Sequence, residues 1–176
     1  MKKFLLRVAI IVVIFLMFFM LSAFVLRRTY PIRYREYVTL YYDDWRLVLS
    51  LIKAESDFHE DATSNAGACG LMQLLPETAK FIATKNGIDK FDLYVAEDNI
   101  RLGCLYLKYL ETRFVDLKTV LAAYNAGEGK VREWLKGNQY SVDGVHLQKI
   151  PYTETKKYVE KIEKYYKKYK RIYLTN

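Results

Sequence analysis

The 176-residue chain reads as a mainly α-helical globular domain behind one N-terminal transmembrane helix. Three observations predict this. From Phe4 to Leu26 the only ionisable residue is Arg7, and Val8 to Leu26 is apolar except for Ser22, about the length of a helix that crosses a bilayer. Beyond that run, apolar residues recur at i, i+3, i+4 and i+7, the spacing of one helical face. No stretch alternates with the period of a strand, and no internal repeat is present. The division expected is a signal anchor over 1–28, a connector over 29–44 and a folded domain over 45–174.

Lys2 and Lys3 precede the apolar run and Arg27 and Arg28 come after it, so flanking charge does not decide its orientation. The run is longer than the core of a cleavable signal peptide, and Ser22-Ala23-Phe24 is a poor cleavage site, which favours an uncleaved anchor. The connector is basic and Tyr-rich, with Pro31, and is too short for a flexible tether, so the domain is expected close to the membrane. Trp45 to Phe58 forms a helix with Val48, Leu51, Ile52, Glu55 and Phe58 on one face. A loop of small and polar residues spans 59–70. Pro76 with Glu77 opens a helix toward Lys85, stopped by Asn86-Gly87. From Asp98 to Phe114 the repeat Ile100, Gly103, Cys104, Leu107, Leu110 and Phe114 marks a packed helix, in which Gly103 predicts close backbone approach by a neighbour. Leu117 to Tyr124 is a short apolar helix closing at Asn125-Ala126-Gly127. Glu128 to Leu135 resumes helix, 137–144 is a turn-rich loop, and Tyr152 to Tyr173 is the last helix.

Past the apolar run, the length of chain suits a single domain with one core. The formal charge of +8 is unevenly spread: Lys156 to Arg171 holds eight Lys/Arg against Glu160 and Glu163, a net of +6. With Val159, Ile162 and Tyr169 at helical spacing, this is an amphipathic helix. Its basic face reads either as merely solvated or as attracted to anionic cell-surface polymer or lipid headgroups. Cys69 and Cys104 permit one disulfide or remain two buried thiols. They lack metal-ligand spacing, and with only His59 and His146 available no metal site or cofactor is expected.

Glu55 is a carboxylate on a stripe that otherwise buries apolar side chains. Desolvation disfavours the charged form and raises such a pKa. A carboxyl held protonated near neutral pH suits a general acid. A helix-end Glu paired with a nearby Lys or Arg is the other reading of the same position.

Four motifs point further: Glu55-Ser56; Gly70-Leu71-Met72-Gln73 with Pro76-Glu77-Thr78-Ala79; Ala123-Tyr124-Asn125-Ala126-Gly127; and Pro151-Tyr152 with Glu154-Thr155. The spacer from Ser64 to Gly70 and Asn99-Ile100-Arg101-Leu102-Gly103 join them. Each string is weak alone, but together and in register they are specific. From about Tyr30-Pro31 to Tyr158-Val159 the chain resembles the soluble lytic transglycosylase catalytic domain, a lysozyme-like fold that cleaves peptidoglycan.

The resemblance implies that Glu55 is the single catalytic acid and base. It would protonate the glycosidic oxygen between N-acetylmuramic acid and N-acetylglucosamine, then accept the proton of the muramoyl C6 hydroxyl as that oxygen attacks C1. The product is a 1,6-anhydro end. Most glycosidases need two carboxylates, with substrate-assisted enzymes as exceptions. Here the acetamido group and the tethered hydroxyl stand in for the second.

Residue by residue, Ser64 matches a loop serine near the muramoyl acetamido group, and by itself reads as a turn serine. Gln73 matches a cleft glutamine, and Met72 reads as packing. Tyr124 matches a tyrosine whose hydroxyl lies near the acid, Asn125 is expected to close its helix and shape the site, and Glu154 matches a cleft glutamate that holds sugar. Ser56 is expected to support the helix end. The resemblance further implies glycan strands of peptidoglycan as substrate, the cytoplasmic membrane as the anchor's partner, an extracytoplasmic catalytic domain, and no nucleic acid; envelope protein partners are not named by it. The sequence departs from the family pattern at Leu75, where a methionine is common, at His59-Glu60, where Asn-Pro is usual, and at Glu128, where proline is common. A hydrolase resembling goose-type lysozymes stays open, with Asp57, Glu60 or Asp61 to activate water, as does a non-catalytic glycan-binding scaffold.

Overall fold

The computed structural model describes residues 1–174, and among them the chain forms eight helices. These are α1 (Lys2–Thr29), α2 (Arg35–Tyr41), α3 (Trp45–Glu55), α4 (Pro76–Lys85), α5 (Ala96–Glu111), α6 (Leu117–Ala126), α7 (Glu128–Leu135) and α8 (Thr153–Ile172). No strand occurs among the described residues. Two isolated antiparallel bridges, Thr63 with Cys69 and Cys69 with Leu74, tie up the loop between α3 and α4. The mainly α architecture is as expected.

Local chemistry sets the helix ends. Asp116 caps α6 by accepting from the Thr119 amide at 2.9 Å and the Thr119 hydroxyl at 2.7 Å. Pro76 begins α4, where its missing N–H has no helical partner to lose, and Gly87 at φ +65° ends it. Asn125, expected to close α6, instead lies inside the helix, and the break falls at Gly127, whose φ of +87° few other residues adopt. The helix expected over 45–58 stops at Glu55. Asp57 and Phe58 adopt left-handed backbone, φ +48° and +68°, which turns Phe58 back into the core although its helix has ended.

The core is one cluster. α3 is its axis, with Leu49, Leu51 and Ile52 fully buried, and it packs against α8 on one side and α2 on another. α5 packs on α2, α4 and α6. The segment read as a connector is therefore partly structural: within 29–44, α2 packs on α5 and α3 through Val38, which is wholly buried. Its heptapeptide is too short to show a periodic stripe.

Gly103 makes room for a side chain rather than a backbone. A Cβ there would sit 2.3 Å from the Met72 sulfur, so the glycine is the floor on which buried Met72 rests. Cys69 and Cys104 are both buried free thiols, which removes the disulfide alternative. Burial pushes the Cys104 thiol up to about 12.

α1 stands apart from this core. Its 28 residues rise about 42 Å, more than a bilayer's hydrocarbon thickness, and side chains such as Phe15 and Met20 are exposed along it. Where α1 ends, the Tyr30 carbonyl accepts from the Tyr173 hydroxyl at 2.7 Å and the Pro31 carbonyl from the Tyr169 hydroxyl at 2.8 Å. The last turns of α8 thus hold the exit of α1.

Candidate active site

A cleft of about 530 Å³ opens between the α3–α4 loop, α5, α6 and the start of α8. Glu55, Ser64, Gln73, Tyr124, Asn125 and Glu154 all line it. Residues separated by as much as 99 positions in sequence are thereby gathered on one wall system.

Glu55 is the last residue of α3 and is half-buried at the cleft base. Burial pushes its carboxyl up from 4.5 to about 7, against the opposing pull of a hydrogen bond from Tyr158 and the charge of Lys161. The Tyr158 hydroxyl donates to Oε1 at 2.6 Å. Lys161 donates to the Ala54 carbonyl at 2.7 Å, which keeps its charge at the helix end rather than in direct contact with the acid. Both protonation states of the acid are therefore within reach near neutral pH, and among the described residues no cation pairs with it directly, so the helix-end ion pair is not what forms.

Sequence reasoning missed Tyr158. It lies on the apolar face of α8 with Thr155, Val159 and Ile162, where a tyrosine reads as core, and only folding brings it to Glu55. Tyr124 lies near the acid, with a hydrogen bond of its own to the backbone. Its hydroxyl donates to the Met72 carbonyl at 2.9 Å, although its ring still lines the cleft near the Glu55 charge. Burial raises both phenols far above their ordinary value, so each stays a neutral donor. Tyr106, also absent from the sequence reading, adds a ring 5.1 Å from that of Tyr124.

The loop 69–73 brings Gln73 to the cleft wall, and side chains of other segments hold its buried backbone. Ser56 donates to the Leu71 carbonyl at 2.8 Å, the structural role expected of it. Asn99, completely buried on α5, accepts from the Met72 amide at 2.8 Å and donates to the Cys69 and Leu93 carbonyls at 2.9 and 2.8 Å. Gly70, at φ +74°, lets that amide in: a Cβ there would lie 2.2 Å from both Asn99 Nδ2 and the Leu93 carbonyl. Gln73 also adopts left-handed backbone, φ +47°, and gives its amide protons to the Ala62 and Gly70 carbonyls at 3.0 and 2.9 Å. Those two acceptors assign the amide nitrogen and leave the side-chain oxygen as the open group.

Ser64 is exposed at the cleft edge and its Oγ accepts from the Ala68 amide at 3.0 Å, so its proton remains available. It is a turn serine that also faces the cleft. Glu154 lies exposed in the first turn of α8. It and Glu55 are the carboxylates on the cleft wall among the described residues. Asp57 instead pairs with Lys53 at 2.7 Å, and Glu60 takes the Tyr34 hydroxyl; neither these nor Asp61 line the cleft. No trio of His, Cys, Asp or Glu suited to a metal ion occurs among the described residues.

Three comparisons bear on this geometry. The family model for the transglycosylase SLT domain matches residues 34–145. The chain is 31% identical over 150 residues to a soluble lytic murein transglycosylase of Salmonella typhimurium, covering 80% of this chain and 23% of that protein. It is 38% identical over 97 residues to a membrane-bound lytic murein transglycosylase F of Desulfosudis oleivorans, covering 51% of this chain and 20% of that one. Among solved structures, an inactive glutamate-to-glutamine mutant of the lytic transglycosylase Slt from Pseudomonas aeruginosa superposes with a TM-score of 0.71 at 32% identity, over 83% of this chain and 25% of that one. The lysozyme-like helical fold expected of the chain is thus the fold it has. The chain spans about a quarter of the length of these relatives.

Proposed function

The chain belongs to the transglycosylase SLT domain family, and from that premise we propose that it is a membrane-anchored lytic transglycosylase cleaving the glycan strands of peptidoglycan, with Glu55 as its single acid and base. The observation that carries this reading is the desolvated carboxyl of Glu55, raised to about 7, in a cleft of about 530 Å³.

Protonated Glu55 donates to the glycosidic oxygen between N-acetylmuramic acid and N-acetylglucosamine as the C1–oxygen bond breaks. The carboxylate left behind accepts the proton of the muramoyl C6 hydroxyl while O6 bonds to C1. The proton returns to Glu55, and the new end is 1,6-anhydro-N-acetylmuramic acid with no water consumed. Neutral Tyr158 holds the carboxyl in one rotamer through both steps. Ser64, with its Oγ already accepting from Ala68, offers its proton to the acetamido carbonyl, and the open oxygen of Gln73 accepts from a sugar hydroxyl. The Tyr124 ring, Asn125 and Glu154 bind the strand along the cleft.

A hydrolase needs a second carboxylate near the acid to activate water. Asp57, Glu60 and Asp61 lie off the cleft wall, which weighs against that alternative, and Glu154, the other carboxylate on the wall, is read as a sugar ligand. α1 supports anchoring in the cytoplasmic membrane by a single pass, with the domain on the extracytoplasmic side where peptidoglycan lies. Digestion of purified peptidoglycan by the full chain, with the products read by mass spectrometry, tests the reaction. Anhydro ends, lighter than hydrolysed ends by one water, are expected, and Glu55→Gln should abolish them while still binding strands. Hydrolysed ends, or undiminished cleavage by the variant, would overturn the mechanism.

A further inference from the structure

The basic end of α8 is left unexplained by the cleft. Between Lys164 and Arg171 stand Lys164, Lys167, Lys168, Lys170 and Arg171 with no acid among them. Lys164, Lys167, Lys170 and Arg171 are exposed. The opposite face of the same turns is occupied: Tyr169 is completely buried, and Tyr169 and Tyr173 donate to the Pro31 and Tyr30 carbonyls where α1 ends. Arg46 adds a bidentate clamp on the Tyr173 carbonyl, at 3.1 and 3.0 Å. These hydrogen bonds tie the C-terminal turns of α8 to the exit of the apolar helix, so the lysines cannot be displaced far from it.

We infer that the C-terminal half of α8 is a docking face for the anionic headgroups of the membrane that holds α1. The inference rests on the anchoring reading of α1. Charge complementarity argues for headgroups: Lys164, Lys167, Lys170 and Arg171 are exposed on the turns tied to the exit of α1, where an anionic phospholipid surface would attract them together. Arg27 and Arg28, in the last turn of α1, continue the same positive surface to the bilayer. Apolar Leu174, exposed just past the helix, completes an edge suited to the interface.

The consequence reaches the cleft. One helix, α8, carries both the basic end and Tyr158, the partner of Glu55, which lies about 16 Å along the axis from Tyr169 at about 1.5 Å per residue. Docking of its basic end orients the cleft at a set height and admits the glycan strands nearest the membrane.

The test uses the full chain in vesicles of phosphatidylcholine alone or mixed with phosphatidylglycerol, with acetylation of lysines read by mass spectrometry. Labelling of Lys164, Lys167 and Lys170 should fall several-fold in the anionic vesicles and recover in about 1 M salt, where the screening length is about 3 Å. Lys80 and Lys85 on α4 should label equally in both. Co-flotation with both vesicles but identical labelling would overturn the docking while leaving the anchor intact. Failure to float with either would overturn the anchor and the docking together. Equal protection in phosphatidylcholine vesicles on adding a soluble polyanion would reassign the face to wall polymer and overturn the proposal.

Discussion

The Tyr158 hydroxyl donates a 2.6 Å hydrogen bond to the carboxyl of Glu55, joining α8 to the end of α3 across 103 positions of sequence. The bond favours the ionised acid, while burial favours the neutral one more strongly, and the balance leaves Glu55 near 7. The site thus places its acid where both protonation states are accessible at neutral pH.

Tyr158→Phe removes the stabiliser of the charged form. The Glu55 pKa should rise above about 7, and the basic limb of the pH–rate profile for kcat/KM should move to higher pH. A loss of rate with an unmoved limb would mean that Tyr158 serves packing alone.

Glu55 also links stability to pH. Its folded value, about 7, exceeds the unfolded 4.5, so the folded state holds the extra proton between these values. Its contribution is fully present below pH 4.5 and is lost as pH rises toward and through 7. Glu55→Gln should therefore raise the unfolding temperature above pH 7, by an amount equivalent to about 3 kcal/mol, with the gain shrinking to nothing below pH 4.5. Thermal unfolding of both proteins across that range reads it directly; a pH-independent gap would contradict the raised pKa.

Asn99→Ala strands the Met72 amide and the Cys69 and Leu93 carbonyls in a fully buried place. The expected loss is about 3 kcal/mol or more in denaturant unfolding, with activity falling further because the loop carrying Gln73 loses its anchor.

Gly103→Ala drives a methyl into Met72 and should destabilise by about 1–3 kcal/mol. Replacing Met72 by a smaller residue should recover part of that loss, so the double variant will be more stable than additivity predicts. Strict additivity would show that the two residues do not share the space.

What could be read beforehand was whatever the local pattern encodes. Five of the helices, α3, α4, α6, α7 and α8, begin within a residue of expectation, at ends marked chemically by Asp44, Pro76, Asp116, Gly127 and the Pro151-Tyr152 pair. Glu55, Ser64, Gln73, Tyr124, Asn125 and Glu154 were legible through motif spacing, and one cleft receives them all. Tyr158 was not, because a tyrosine on an apolar stripe carries no mark of what lies opposite it. Neither was α2, whose seven residues are too few for a period to declare itself.

By itself, then, the sequence determined the helical class, the apolar span of α1 and the place of Glu55 on a buried helical face, all properties of residue type and spacing along one segment. The tertiary structure alone decided which hydroxyl meets Glu55, that Cys69 and Cys104 stay apart as thiols, that Asn99 holds the loop leading to Gln73, and that the end of α8 grips the exit of α1. Each of these depends on contacts between segments far apart in the chain. Periodicity says which face a residue occupies, and only packing says what that face meets.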